Sequence, residues 1–215
     1  MSITTPNKFL VYNKLANLLK GSNVLNAAKY LYFHNNFLMA TTGQIIVRIN
    51  MTSLGFSEEV IQLLKGKAIT KETYSDLMKC STLEISDTAI RGSSTSKTGS
   101  VSTQIHEFAD LPSAPPLFDA IIPNNFNICL PLGQDGTNVI GMTLDNLALI
   151  HAALPNLKAI TMARLPLKGR STPLIWISSP LEKVEDELIL LMPVVVDFVK
   201  YPQYKTAEIE DTPTA

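Results

Sequence analysis

Three times along the chain, a short run with apolar residues three and four positions apart is followed by runs rich in aromatic and β-branched residues. The first spacing selects one face of a helix and the second selects strands, so the pattern predicts short amphipathic helices that each lead into an antiparallel meander. In the first copy Leu15, Leu18 and Leu19 form the stripe, Asn13, Lys14, Asn17 and Lys20 occupy the remaining surface, and Gly21 and Ser22 stop the helix. Strands are predicted over 29–33, 37–40 and 44–50, across turns at His34-Asn35-Asn36 and Thr41-Thr42-Gly43. In the second copy Thr70 caps a helix that turns Tyr74, Leu77 and Met78 inward and carries Lys71, Ser75 and Lys79 on another face. Strands follow at 82–86 and 101–106, around a Ser/Thr/Gly-rich tip at 92–100. The third copy begins at Val139, with Thr143 as cap, Leu144, Leu147, Ile150 and Leu154 inward, and Pro155-Asn156 as the stop. Its strands are predicted at 159–165, 173–178 and 187–196. The helix starts near 13, 71 and 144 lie 58 and 73 residues apart, although the copies share little identity.

Such units predict an α+β fold in which the helices gather on one face of the sheets. The sheets must then protect their edges, and pairing edge to edge with another subunit is one way to do so. Residues 109–136 hold Pro112, Pro115, Pro116, Pro123 and Pro131, the densest proline segment of the chain. This divides the chain into a first domain over 1–108, a proline-rich connection over 109–138, a second domain over 139–200 and a mobile acidic tail over 201–215, carrying Glu208, Glu210 and Asp211.

With 215 residues, 46% of them apolar, the chain can bury a real core. The longest apolar run, 188–196, is broken by Pro193 and is too short to cross a bilayer. No secretory leader precedes it, so a soluble cytoplasmic protein is expected. Cys80 and Cys129 lack metal or redox spacing and read as buried thiols. The net charge of −1 conceals an asymmetry. Residues 1–57 contain Lys8, Lys14, Lys20, Lys29 and Arg48 and no acidic residue, which suits contact with a polyanion.

A family resemblance rests on the third copy. "VIGMTLDNLALIHAAL" at 139–154, then Thr172-Pro173-Leu174-Ile175-Trp176-Ile177, then "LILLMPVV" at 188–195, resemble the last unit of bacterial β sliding clamps. "FHNNFLMATTGQIIVRIN" and "FADLPSAPPLFDAIIP" are similar to clamp segments as well. The length suits the two-domain subunits of phage and eukaryotic clamps, which form trimeric rings, although three units are legible where two complete domains need four. The resemblance implies a non-enzymatic processivity factor assembled as a ring with a trimer favoured, and the compact length suits a phage- or plasmid-encoded protein, cytoplasmic and in the host cytoplasm if phage-encoded. Its helices would line a channel around duplex DNA, with Lys14, Lys20, Lys71 and Lys79 meeting phosphates without regard to sequence. It also implies an apolar groove at Pro173, Leu174, Trp176, Met192, Pro193 and Val194 that takes short peptides from a polymerase and a clamp loader. The alternative is a phage structural or interaction module that reuses the fold without encircling DNA.

Chemistry is sparse. Ser94-Thr95-Ser96-Lys97-Thr98-Gly99 superficially offers S-x-x-K and K-T-G, but one lysine cannot fill both roles, and the stretch is not a phosphate-binding loop. His34, His106 and His151 lack a carboxylate at ligand spacing, and Glu185-Asp186-Glu187 reads as a polar hairpin tip. No catalytic constellation, cofactor or metal is expected.

Overall fold

The computed structural model describes residues 1–19, 26–111, 118–122, 142–157, 161–165, 174–178 and 186–191, with the backbone alone at 26–27, 120, 161–165 and 174–178. The chain adopts the expected α+β arrangement. It opens with β1 (Ser2–Thr4), α1 (Asn7–Leu10) and a 3₁₀ turn (Leu15–Leu18), and continues through β2 (Tyr30–His34), β3 (Phe37–Thr41) and β4 (Ile45–Asn50). A second unit comprises β5 (Lys67–Thr70), α3 (Lys71–Leu77), β6 (Thr82–Ile85), β7 (Ala89–Thr95) and β8 (Val101–Glu107), reached through α2 (Glu58–Leu64). Then come α4 (Phe118–Ile121), α5 (Leu144–Ala153), β9 (Thr161–Leu165), β10 (Leu174–Ser178) and β11 (Glu187–Leu191).

The two complete units exchange their first strands. One sheet runs β1-β6-β7-β8, so the first unit's opening strand extends the second unit's meander. The other runs β5-β2-β3-β4-β11-β10-β9, with the second unit's opening strand beside the first meander and the third unit continuing the sheet through β4 and β11. Neither unit closes its sheet alone, so residues 1–107 form one interlocked pair. This exchange is long-range and leaves no mark in local periodicity.

The helices bury one side of both sheets. Leu15 and Leu18 are fully buried with Leu31, Phe33, Leu38, Ile45, Val47, Ile49, Tyr74, Leu77, Ile150 and Ile189 in one core. Phe9 packs edge-on against Phe56 and Tyr74, with ring centroids 5.1 and 5.7 Å apart. Thr70 caps α3 by accepting from the Thr73 amide at 3.2 Å, and Thr143 caps α5 through Asn146 at 3.3 Å.

Burial holds the Tyr74 phenol, which donates to the Tyr12 carbonyl at 2.8 Å, well above its ordinary pKa of 10.0, with Tyr12 adding to the effect. Below that pH the phenol is neutral in both states, and above it the unfolded chain ionises first. Stability should therefore fall as pH rises beyond 10.0, and thermal melts should show a shallower alkaline loss for Tyr74→Phe than for the wild type.

Several expectations are corrected. Residues 92–95 belong to β7 rather than to a loop tip. Gly92 lies in that strand because a Cβ there would come within 2.5 Å of the Cys80 sulfur. Leu144 is 81% exposed instead of inward, and α5 buries Asn146, Ile150 and Ala153. The helix expected from residue 13 is only a 3₁₀ turn at Leu15–Leu18, with α1 lying before it, although Leu15, Leu18 and Leu19 are buried as expected. Glu187 is not at a solvated tip: it is buried and accepts from the Tyr12 hydroxyl at 2.7 Å, while Asp186 bonds to Ser53. Cys80 is a buried free thiol whose pKa is raised by burial and by Asp76. Cys129 and the tail beyond 200 lie outside the described residues.

Candidate functional site

Two surfaces follow from this architecture, the helix layer and the opposite face of the seven-stranded sheet. In the helix layer the 3₁₀ turn touches both α3 and α5, so helices from all three units form one continuous surface. Asn17 donates to the Ala152 carbonyl at 2.9 Å and ties the first and third units together. Lys14, Lys71 and Lys79 are exposed on this layer, while Lys20 lies outside the described residues. Lys79 is 2.8 Å from Asp76, which offsets part of its charge. Lys71 is the first residue of α3, where the helix dipole disfavours a cation, so its placement is not explained by helix stability. Lys8, exposed in α1, shares this basic segment. Four-residue α1 has no apolar stripe legible in the sequence, so charge alone marks Lys8 there and only the fold places it on a helix. Glu72 and Asp145 are exposed on the same helices, so the layer is mixed rather than uniformly basic.

Where the first and third units meet, Val11, Tyr12, Leu154 and Leu157 flank the buried Glu187 carboxylate. Removing the hydroxyl in Tyr12→Phe takes a donor from that carboxylate and is expected to cost about 1.5–3 kcal/mol, read as a lower thermal midpoint.

The opposite face of the seven-stranded sheet is also apolar. Strand alternation sends Leu31, Phe33, Leu38 and Ile189 to the helix side and Tyr32, Met39, Ile46, Ala68, Leu188 and Leu190 to the other, where Phe118 and Ile122 cover them. The Phe118 ring meets Tyr32 edge-on at 5.5 Å, and the Tyr32 pKa is pushed up to about 12 by burial and then by Tyr30. His34 Nε2 lies 2.8 Å from Asp119 Oδ1 and its ring 5.5 Å from Phe118. This partner is 85 residues from His34, and local spacing could not reveal it. The available signal was the i, i+4 pair Phe118 and Ile122 within a proline-rich segment.

Of the groove positions, Leu174 and Trp176 lie in β10, where the register sets Trp176 opposite Leu190. Pro173, Met192, Pro193 and Val194 lie outside the described residues. The S-x-x-K stretch ends β7 and forms the β7–β8 turn, with the Gly99 amide donating to the Ser96 carbonyl at 3.0 Å. It opens no helix, which removes the structural setting that the motif needs. Among the described residues no group of His, Cys, Asp and Glu is placed to hold a metal, and no helix is long and apolar enough to cross a membrane.

The fold is that of DNA sliding clamps. The β sliding clamp of Bartonella birtlesii, solved with griselimycin bound, superposes with a TM-score of 0.58 at 15% identity over 91% of this chain and 66% of that one. The clamp of Bacillus subtilis gives 0.54 at 12% identity over 91% and 64%, and the DNA polymerase III β subunit of Thermotoga maritima gives 0.53 at 13% over 94% and 65%. The chain thus spans just under two thirds of the length of these proteins. No protein-family model and no curated protein matches the sequence.

Proposed function

We propose that the chain is a non-enzymatic processivity factor that closes with further copies of itself into a ring around duplex DNA and tethers a replicative polymerase. One observation carries this reading: strands of the three units build two sheets, and the helices of all three units form one continuous layer against them, with exposed lysines on the helices. Sheet edges supply the means of closure. β1 has only three residues, and the edge of β5 is covered where the Ala109 amide donates to the Ala68 carbonyl at 2.9 Å. By contrast β8 is a seven-residue edge without a lysine or proline, and Val101 and Ile105 on it are 67% and 61% exposed. An edge of this kind favours pairing with another chain.

Lys14, Lys20, Lys71 and Lys79 would contact phosphates, and Pro173, Leu174, Trp176, Met192, Pro193 and Val194 would receive peptides from the polymerase and the clamp loader. The helix layer needs no base readout, because sliding requires that every register be equivalent. Domains over 1–108 and 139–200 joined by 109–138, a trimeric ring and a phage or plasmid origin belong to the same proposal. Native mass spectrometry with particle imaging tests it: a closed ring with a duplex-sized hole is expected, and a monomer at all concentrations would favour an interaction module that does not encircle DNA.

A further inference from the structure

Glu187 opens β11 opposite Ile49, and strand alternation turns its side chain to the helix side of the sheet, with Ile189. A hollow of about 110 Å³ remains there between the first and third units, bounded by Val11, Tyr12, residues 154–157 and Glu187. A water-sized group takes roughly 30 Å³ of liquid, so this space admits a chain of about four heavy atoms. Val11, Leu154, Pro155 and Leu157 make its walls aliphatic, and Tyr12 adds an aromatic surface. The charged group among them is the Glu187 carboxylate, only 6% exposed and held by the Tyr12 hydroxyl at 2.7 Å. Tyr12 is fixed in turn, because the Tyr74 hydroxyl donates to its carbonyl at 2.8 Å. A carboxylate has about four lone-pair sites, so the Tyr12 donor does not exhaust it. Past Val11 and Tyr12 lies a wider hollow of about 280 Å³, bounded also by Lys8, Ile49, Ser53, Leu54 and Asp186. In that one Lys8 balances Asp186, which already accepts from Ser53, whereas the charge lining the first hollow is negative.

We propose that the Glu187 hollow is a binding site for a small primary alkylammonium ion, a charged amine on an unbranched aliphatic stem. The ammonium donates to the buried carboxylate, where attraction is screened less than at the surface, and the stem lies against Val11, Leu154 and Leu157. An anion of the same shape is repelled by Glu187, and an alcohol loses the charge-assisted bond. Because Tyr12 belongs to the first unit and Leu154 and Glu187 to the third, the occupant braces the joint between them, and its binding raises the melting temperature. Within the clamp reading the ligand stiffens the arc at this joint, but the site itself depends on neither a ring nor DNA.

The test uses the full chain with n-butylammonium chloride, n-butanol and sodium butyrate at neutral pH and matched ionic strength. In saturation-transfer NMR titrations butylammonium is expected to bind about tenfold more tightly than butanol, and butyrate not to bind. Glu187→Gln keeps the shape of the side chain and an oxygen to accept from Tyr12. It is expected to weaken butylammonium binding about tenfold while leaving butanol binding as it was. No binding of butylammonium, binding no better than that of butanol, or equal binding to wild type and Glu187→Gln would overturn the proposal. If Glu187→Gln fails to fold, Val11→Lys decides: Val11 is 49% exposed, so the substitution spares the core and sets a like charge at the mouth. A severalfold loss of butylammonium affinity supports the site, and an unchanged affinity rejects it. Neither result bears on ring formation, which the native mass reads separately.

Discussion

Gly92→Ala is expected to lower the thermal midpoint by roughly 5–10 °C, corresponding to about 2–3 kcal/mol, because the added methyl cannot be housed without moving α3. The new Cβ would lie 2.5 Å from the Cys80 sulfur and 3.3 Å from Leu77 Cδ2, in the layer where β7 passes beneath the end of α3. Cys80 is itself anchored by a contact from its thiol to the Asp76 carbonyl at 3.4 Å. Relief by withdrawal of the sulfur would therefore disturb the last turn of the helix. Removing the sulfur in Cys80→Ala should recover more than half of the loss in the Gly92→Ala background, although Leu77 still crowds the site. A double-mutant cycle by thermal or urea unfolding measures this coupling, and simple additivity of the two substitutions would show that the clash is absent.

Replacing Lys14 and Lys71 together by alanine is expected to reduce the slope of log affinity for duplex DNA against log salt by about two, one for each phosphate no longer neutralised. Binding should weaken alike on duplexes of unrelated sequence, since neither lysine reads bases. Lys71 permits a sharper separation of function from stability. It occupies the first position of α3, where a carboxylate is favoured by the helix dipole, so Lys71→Glu should leave the melting temperature unchanged or raise it while DNA affinity falls. Salt titrations monitored by anisotropy decide the matter, and an unchanged slope would remove these residues from any DNA-facing surface.

What could be read from the chain was whatever is local. Leu15, Leu18, Tyr74 and Leu77 declared their inward face by spacing, Thr70 and Thr143 declared their helix starts by capping chemistry, and the first meander was bounded by its turns. Leu144 misled because the buried side of α5 is chosen by its neighbours. Asn17 bonds to the Ala152 carbonyl and Asn146 to Gln44 at 3.3 Å, so a buried polar residue occupies the inward position and a leucine faces out. β7 was obscured by Gly92 and its serines, whose strand state is set by pairing with β6 and β8 and by the nearness of Cys80. The exchange of β1 and β5, the burial of Glu187 and the His34–Asp119 contact all join residues far apart in the chain, beyond the reach of periodicity. Exposure of Lys14, Lys71 and Lys79 followed from helix phase, but the ion pair of Lys79 with Asp76 and the place of Lys8 on the same layer emerge only in the folded chain.

Encirclement is tested most directly by topology. The protein can be threaded onto a linear duplex through its free ends, the ends then capped with biotin–streptavidin, and the salt raised until electrostatic attraction is screened out. The account predicts that the protein stays on the capped duplex and departs once an internal cut restores free ends. Equal loss from capped and uncapped DNA would contradict a ring and leave only surface binding.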